Sequence, residues 1–214
     1  LIHKKNIPEW NTEKHYFEQD RDTLQFYVDE FKKIRNGIEI SGVYIHPWLY
    51  FHLNVFKTDI PMPVLNKFTK QIESKDIFMH PPLRDNEWYI IQDAYREAET
   101  EQLILFIAAT RRLFKSTGLA SHFQWKTTIG AKELLIAGAS AKDLGQVAKN
   151  YKKSVQGAEG AFALNNLTND WSTKVELGLK KKSGKKIPQC VLHVINLNAG
   201  GEKSSEVLAG YTPD

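Results

Sequence analysis

One junction constrains the fold of this chain more than any other. Residues 103–109 read Leu-Ile-Leu-Phe-Ile-Ala-Ala, the most apolar run in the sequence, and a basic loop separates them from Lys115 and Ser116. A run this short is not a typical helix and suits a strand buried on both faces. From Ser116 to about Lys126 the pattern is helical, and residues 133–138 form a second apolar strand. Ser140 and Asp143 then have capping-box spacing, ahead of a helix whose Leu144, Val147, Ala148, Tyr151 and Val155 share one apolar face. Strand, helix, strand, helix is the rhythm of a parallel sheet with crossover helices. The expected fold class is therefore α/β.

Upstream, residues 1–18 are polar and read as an arm, and residues 20–36 read as a helix with Leu24, Tyr27, Phe31 and Ile34 on one face and Gly37 as its stop. Residues 38–56 are rich in β-branched and aromatic side chains, interrupted by Pro47, and read as short strands or a strand and a turn. Residues 61–72 are expected to form a short helix. Pro81 and Pro82 form an extended linker, after which Asp85 caps a helix running through Trp88, Ile91, Gln92 and Tyr95. Residues 173–179 and 190–196 read as strands joined by a lysine-rich hairpin tip, and residues 198–214 are loop-like.

Composition enters mainly through what it excludes. With the single cysteine Cys190 there is no intrachain disulfide, which fits a reducing compartment. No apolar run approaches a membrane span and no signal peptide opens the chain. The formal net charge of +4 is compatible with a polyanionic partner without requiring one.

The loop between strand and helix carries the chemistry. A phosphate-binding loop places backbone N–H groups and a helix N-terminus around phosphates, with a lysine on the β- and γ-phosphates and a hydroxyl on magnesium. Here Thr110, Arg111, Arg112, Leu113 and Phe114 fill the loop, followed by Lys115, Ser116 and Thr117. The spacing G-x-x-x-x-G-K-[ST] is kept, but Ala109 and Phe114 replace both glycines. Two guanidinium groups beside a lysine at a helix start make a concentrated anion site. The bland alternative is a strand–loop–helix with a basic loop and no ligand.

The segment Thr110-Arg-Arg-Leu-Phe-Lys-Ser-Thr117 resembles the deviant Walker A loop of phage terminase large subunits, the ATPases that package viral DNA. Pro82-Leu-Arg-Asp85 is similar to that family's adenine-recognition segment, with Glu87 near its expected glutamine. Residues 44–54 resemble the aromatic stretch ahead of the ATPase core, and residues 208–214 resemble the lead into the Walker B strand. The resemblance implies a P-loop-type parallel sheet with flanking helices, incomplete at the C-terminus. It divides the chain into an N-terminal helical and aromatic extension, residues 1–60, and a P-loop ATPase domain, residues 61–214, truncated before Walker B.

It also implies roles. Lys115 would bind the β/γ-phosphates of ATP, and Ser116 would hold Mg2+ with Thr117 beside it. Arg111 would act catalytically on γ-phosphate charge, and Thr110, Arg112, Leu113 and Phe114 would complete the nucleotide loop. Arg84 would lie on the adenine side. The implied activity is ATP hydrolysis coupled to packaging double-stranded DNA, in the cytoplasm of an infected host cell. The implied partners are a portal protein, a small terminase subunit and further copies in a ring, with no membrane. No Asp-Glu pair follows an apolar strand in residues 1–214, so the carboxylates of hydrolysis are expected beyond Asp214.

Other readings stay open. The chain could be a helicase-like P-loop ATPase, or a nonhydrolysing nucleic-acid-binding scaffold with a degenerate loop. Lys180, Lys181, Lys182, Lys185 and Lys186 form either a solvated turn or a contact to DNA phosphates, with Lys149, Lys152 and Lys153 as a second basic face. Cys190 and His193 have metal-like spacing but no second pair, and His46 and His52 read as structural or surface residues.

Overall fold

The computed structural model describes residues 7–11, 18–105, 107, 115–138, 140–164, 166–170, 174–180 and 186–197. The chain is mixed α/β with small sheets. Helix α1 spans Arg21–Asn36. The Asp20 side chain caps it by accepting from Thr23 N, and Gly37, at φ 78°, ends it. Strands β1 (Ile38–Ile40) and β2 (Val43–Ile45) form an antiparallel hairpin, and helix α2 (Pro47–Asn54) follows directly.

Strands β1 and β2 are the short strands expected within residues 38–56, and helix α2 corrects that expectation for the rest of the span. Pro47 does not interrupt a strand. It sits in the first turn of the helix, where its missing N–H costs nothing, and His46 caps that turn by accepting from Trp48 N at 3.2 Å. All eight helical residues are buried. A helix enclosed on every side has no polar face, so its sequence carries none of the periodicity that identifies a surface helix.

Residues 61–72 are likewise not a helix. Strands β3 (Thr58–Leu65) and β4 (Ile72–Met79) form an antiparallel ribbon in register from Thr58↔Met79 to Leu65↔Ile72. Pro61 and Pro63, two residues apart, are incompatible with a helix interior and suit an edge strand. The helical stretch after the double proline begins one residue earlier than expected. Arg84 is the N-cap of α3 (Asp85–Glu87), which continues as a π-helical segment, Trp88–Tyr95, and then α4 (Arg96–Thr100).

The strand expected over residues 103–109 is not present in its described part. Residues 103–105 belong to no strand, and Leu103, Ile104 and Ile107 are 63%, 91% and 44% exposed. Gln102, at φ 55°, turns the chain out of α4, and Leu103 N closes back onto the Ala98 carbonyl at 2.8 Å. Apolarity alone does not make a strand. A ladder partner is also needed, and no described strand pairs with this run. Residues 106, 108 and 109 lie outside the described residues.

Helix α5 (Lys115–Thr128), strand β5 (Glu133–Gly138) and helix α6 (Ala141–Gln156) follow as expected, with Ser140 capping α6 by accepting from Asp143 N. The sheet is mixed rather than parallel. Strand order is β5-β8-β7-β6, with β8 (Lys186–Asn196) parallel to β5 and antiparallel to β7 (Lys174–Lys180), and β7 antiparallel to β6 (Asn166–Asp170). The short links between β6, β7 and β8 permit only hairpin returns, while the β5-to-β8 connection contains the helix that a parallel crossover requires. Strand β6 escaped the sequence reading.

Helix α6 lies against β5, β6 and β8, α5 packs on α6, and α2 packs on α5. One apolar cluster runs through them, from Ile34, Trp48 and Phe51 through Phe123, Trp125 and Tyr151 to Leu192 and Val194. Part of the expected N-terminal arm is docked. Trp10 is buried edge-on against Tyr27, whose hydroxyl donates to the Pro8 carbonyl. Gly160, at φ 60°, passes so close to Tyr27 that a Cβ would stand 1.7 Å from its hydroxyl oxygen. Replacing Gly160 with Ala therefore adds both a backbone strain and a clash. Urea denaturation should show a loss of about 2–3 kcal/mol; unchanged stability would mean that Tyr27 relaxes freely.

Candidate functional site

The start of α5 lies at the surface. Lys115 is the first residue of this helix and is exposed, Ser116 and Thr117 are half-buried, and Gly118 is buried below them. A helix N-terminus carries partial positive charge and N–H groups with no partner inside the helix. An exposed ammonium and two hydroxyls on that turn are the groups a magnesium-bound polyphosphate needs. Thr110, Arg111, Arg112, Leu113 and Phe114 lie outside the described residues. Arg84 is exposed at the start of α3, and its backbone N–H donates to the Glu87 carboxylate at 3.1 Å.

A buried polar group joins α2 to α5. Trp48 Nε1, which can only donate, lies 2.8 Å from Ser121 Oγ on α5. The hydroxyl oxygen therefore accepts there, and it also shares a hydrogen bond with His52 Nδ1 at 2.9 Å, with donor and acceptor set by the ring tautomer. His52 Nε2, on the other side of the ring, stands 4.0 Å from Glu87 Oε2, a close approach rather than a hydrogen bond. Burial holds His52 down to about 3, with Arg84 and His80 acting in the same direction, so the ring is neutral at physiological pH. Burial pushes Glu87 up to about 7, against the opposing pull of its hydrogen bond from the Arg84 backbone and the Arg84 charge.

Serine, histidine and a carboxylate in this order resemble a nucleophilic triad, but Ser121 and His52 are fully buried and no substrate reaches them. The hydrogen bonds join α2 to α5, the helix that Lys115 opens, and Glu87, in the segment that resembles an adenine-recognition motif, packs beside them. The sequence signal for this group is faint: His46 and His52 stand in an otherwise apolar stretch, where a histidine must find a partner.

A second polar group centres on Glu99 of α4. His46 Nε2 lies 3.0 Å from it, Lys126 Nζ 3.6 Å and the Tyr95 hydroxyl 3.4 Å. His122 packs edge-on against Trp48 and Tyr95, and burial lowers its pKa to about 3. These contacts fasten the π-helical segment to α2 and α5. Gln92 does the same from within that segment, accepting from His46 N at 2.8 Å and donating to the Tyr44 carbonyl at 2.5 Å.

The remaining sequence candidates are dispersed. Cys190 and His193 lie on opposite faces of β8. Cys190 is buried 3.5 Å from Thr127 Oγ1, and His193 pairs with Glu133 at 2.7 Å. Among the described residues no group of three or more His, Cys, Asp or Glu side chains is placed to hold a metal ion. Lys180 and Lys186 face each other across the β7–β8 ladder, while Lys181, Lys182 and Lys185 lie outside the described residues. On the second basic face Lys149 is exposed, but Lys153 is paired with Asp59 at 2.5 Å and sits over the Phe78 ring. Among the described residues no helix is long and apolar enough to cross a membrane.

Compared with family models, curated proteins and solved structures, the chain matches none.

The raised pKa of Glu87 has a definite sign. Below its ordinary value of 4.5 the carboxyl is neutral whether folded or unfolded, so it imposes no cost. As pH rises through 7 the unfolded chain is already ionised and the folded chain resists ionisation, so stability falls. Replacing Glu87 with Gln removes this effect. Melting curves should show the two proteins close together near about pH 5, with the Gln variant ahead by up to about 3 kcal/mol near about pH 8.5. A gap independent of pH would mean that Glu87 titrates normally.

Proposed function

We propose that this chain carries the nucleotide-binding part of a viral terminase large subunit, an ATPase that drives double-stranded DNA into a capsid. The observation that supports this reading best is the closeness of Glu87 to His52, whose ring is hydrogen-bonded to Ser121 of α5. It sets the two segments whose sequences resemble the adenine-side and phosphate-side motifs of that family near each other, as a site gripping both ends of one nucleotide needs. Chance resemblance at two unrelated places would not require them to lie close together.

On this reading Lys115 contacts the β/γ-phosphates, and Ser116, with Thr117 beside it, supplies the hydroxyl that holds Mg2+. Arg111 stabilises charge developing on the γ-phosphate, and Arg112 is a further phosphate contact. Thr110, Leu113 and Phe114 supply loop backbone, and Phe114 must turn its ring outward for that backbone to come close. Arg84 faces the adenine, with the buried Glu87 beside it at the place of the motif's glutamine. The P-loop-type sheet belongs to the same proposal: the exposed apolar residues Leu103, Ile104 and Ile107 take their place as a strand when another strand lies beside them. The portal, the small subunit and further copies in a ring are the partners of such a motor.

Titration of ATP·Mg2+ against the chain, followed calorimetrically, tests the reading. Lys115→Ala should weaken binding about 10- to 100-fold, the loss of one charge-assisted contact. Because Lys115 is exposed, the melting temperature without nucleotide should not change. Absence of saturable binding by the parent chain, or equal affinity in the variant, would sink the proposal.

A further inference from the structure

The β3–β4 ribbon ends in a feature that the nucleotide site does not use. Its base is fastened to the body: Thr58 and Ile60 are buried, and Asp59 pairs with Lys153 of α6. Beyond Ile60 the ribbon runs into solvent. Met62, Leu65 and Ile72 are 37%, 58% and 75% exposed, and Phe68 at the tip is 97% exposed. Two-stranded ribbons without a second layer are marginal on their own, and clustered exposed apolar side chains mark a surface that meets something.

The tip is built rather than loose. Asn66 Oδ1 accepts from Phe68 N and Thr69 N at 2.9 and 3.2 Å, Lys70 N donates to the Asn66 carbonyl, and Lys70 adopts φ 56°. These bonds fix the backbone that carries Phe68 between Lys67 and Lys70. Within residues 66–70 there are two lysines and no acid, and the nearest acid, Glu73, accepts from Asn66 Nδ2 at 2.7 Å. A protein strand adding to β3 would meet Pro61 and Pro63, which have no N–H to offer. The tip side chains combine an apolar wedge with flanking positive charge.

We propose that the β3–β4 ribbon is a DNA-binding arm that enters the minor groove of double-stranded DNA. Phe68 wedges between base steps, Leu65 and Ile72 pack behind it, and Lys67 and Lys70 hold the flanking phosphates. Ribbons fit grooves, apolar wedges unstack and kink the duplex there, and lysines on phosphates release counterions. The arm shares its ligand with the proposed packaging function but not its site, so either reading can fail without the other.

Fluorescence anisotropy of the chain with a labelled duplex, over a range of salt concentrations, tests it. Replacing Lys67 and Lys70 together with Ala should reduce the slope of log affinity against log salt by about two. Phe68→Ser should weaken binding several-fold at an unchanged slope and abolish the DNA bend read by end-to-end energy transfer. Both positions are at the exposed tip, so unchanged melting curves will confirm folding, and Lys115→Ala should leave DNA affinity intact. Equal affinity and slope in all variants would overturn the proposal. So would a tip whose mutation alters only self-association in sedimentation, or only binding to lipid vesicles, or a parent chain that binds no duplex.

Discussion

The burial of helix α2 on every side is the constraint on which the rest of the structure depends. An eight-residue helix with no solvent face cannot leave its polar atoms to water, and this one carries a histidine, an asparagine and a tyrosine hydroxyl, with a second histidine, His46, at its cap. Each is met from a different direction. Ser121 of α5 meets His52, and Asn54 Nδ2 donates to the Tyr50 carbonyl within the helix. The Tyr50 hydroxyl donates to Glu30 of α1, and Glu99 of α4 meets the capping His46. The elements around α2 are thus placed by hydrogen bonds as well as by packing. Directional bonds select one arrangement where apolar contact alone would allow several.

That arrangement gives the start of α5 its setting. Trp125, ten residues along from Lys115, donates to the Ile34 carbonyl at the end of α1, and Ser121 lies between them on the buried side. The helix is therefore held through its middle while its first turn stays at the surface. A site built this way has a rigid support and an open mouth, the division of labour that binding of a charged ligand requires. Beside this network lies Glu87, a carboxyl that burial shifts up to about 7.

Much of this was legible in the chain. Helices α1 and α6 were, because an amphipathic helix writes its buried face at regular intervals, and Asp20 and Ser140 mark where each begins. Strand β5 and the β7–β8 hairpin were, because short apolar runs bounded by polar turns have few alternatives. Helix α2 was not, since total burial erases periodicity and its aromatic, β-rich composition points the other way. The β3–β4 ribbon was not, because its exposed distal half lacks the alternation of a half-buried strand. Of the candidate site, Lys115 and the helix it opens were visible from spacing. His52 and Ser121 were not, because 69 residues separate them and nothing local marks the contact.

The sequence by itself determined the local grammar of this protein: where helices start, which faces are apolar, and that a lysine and two hydroxyl residues open one helix behind a basic loop. These follow from side-chain chemistry within a few residues. Only the tertiary structure decided which polar groups lie inside and what they meet. It made α2 a helix, left residues 103–105 outside any strand, set two charged tip residues around an exposed Phe68, and joined α2 to α5 through His52 and Ser121. The reason is physical. Burial, ladder pairing and pKa depend on neighbours distant in sequence, and their energies outweigh the local preference of any short segment.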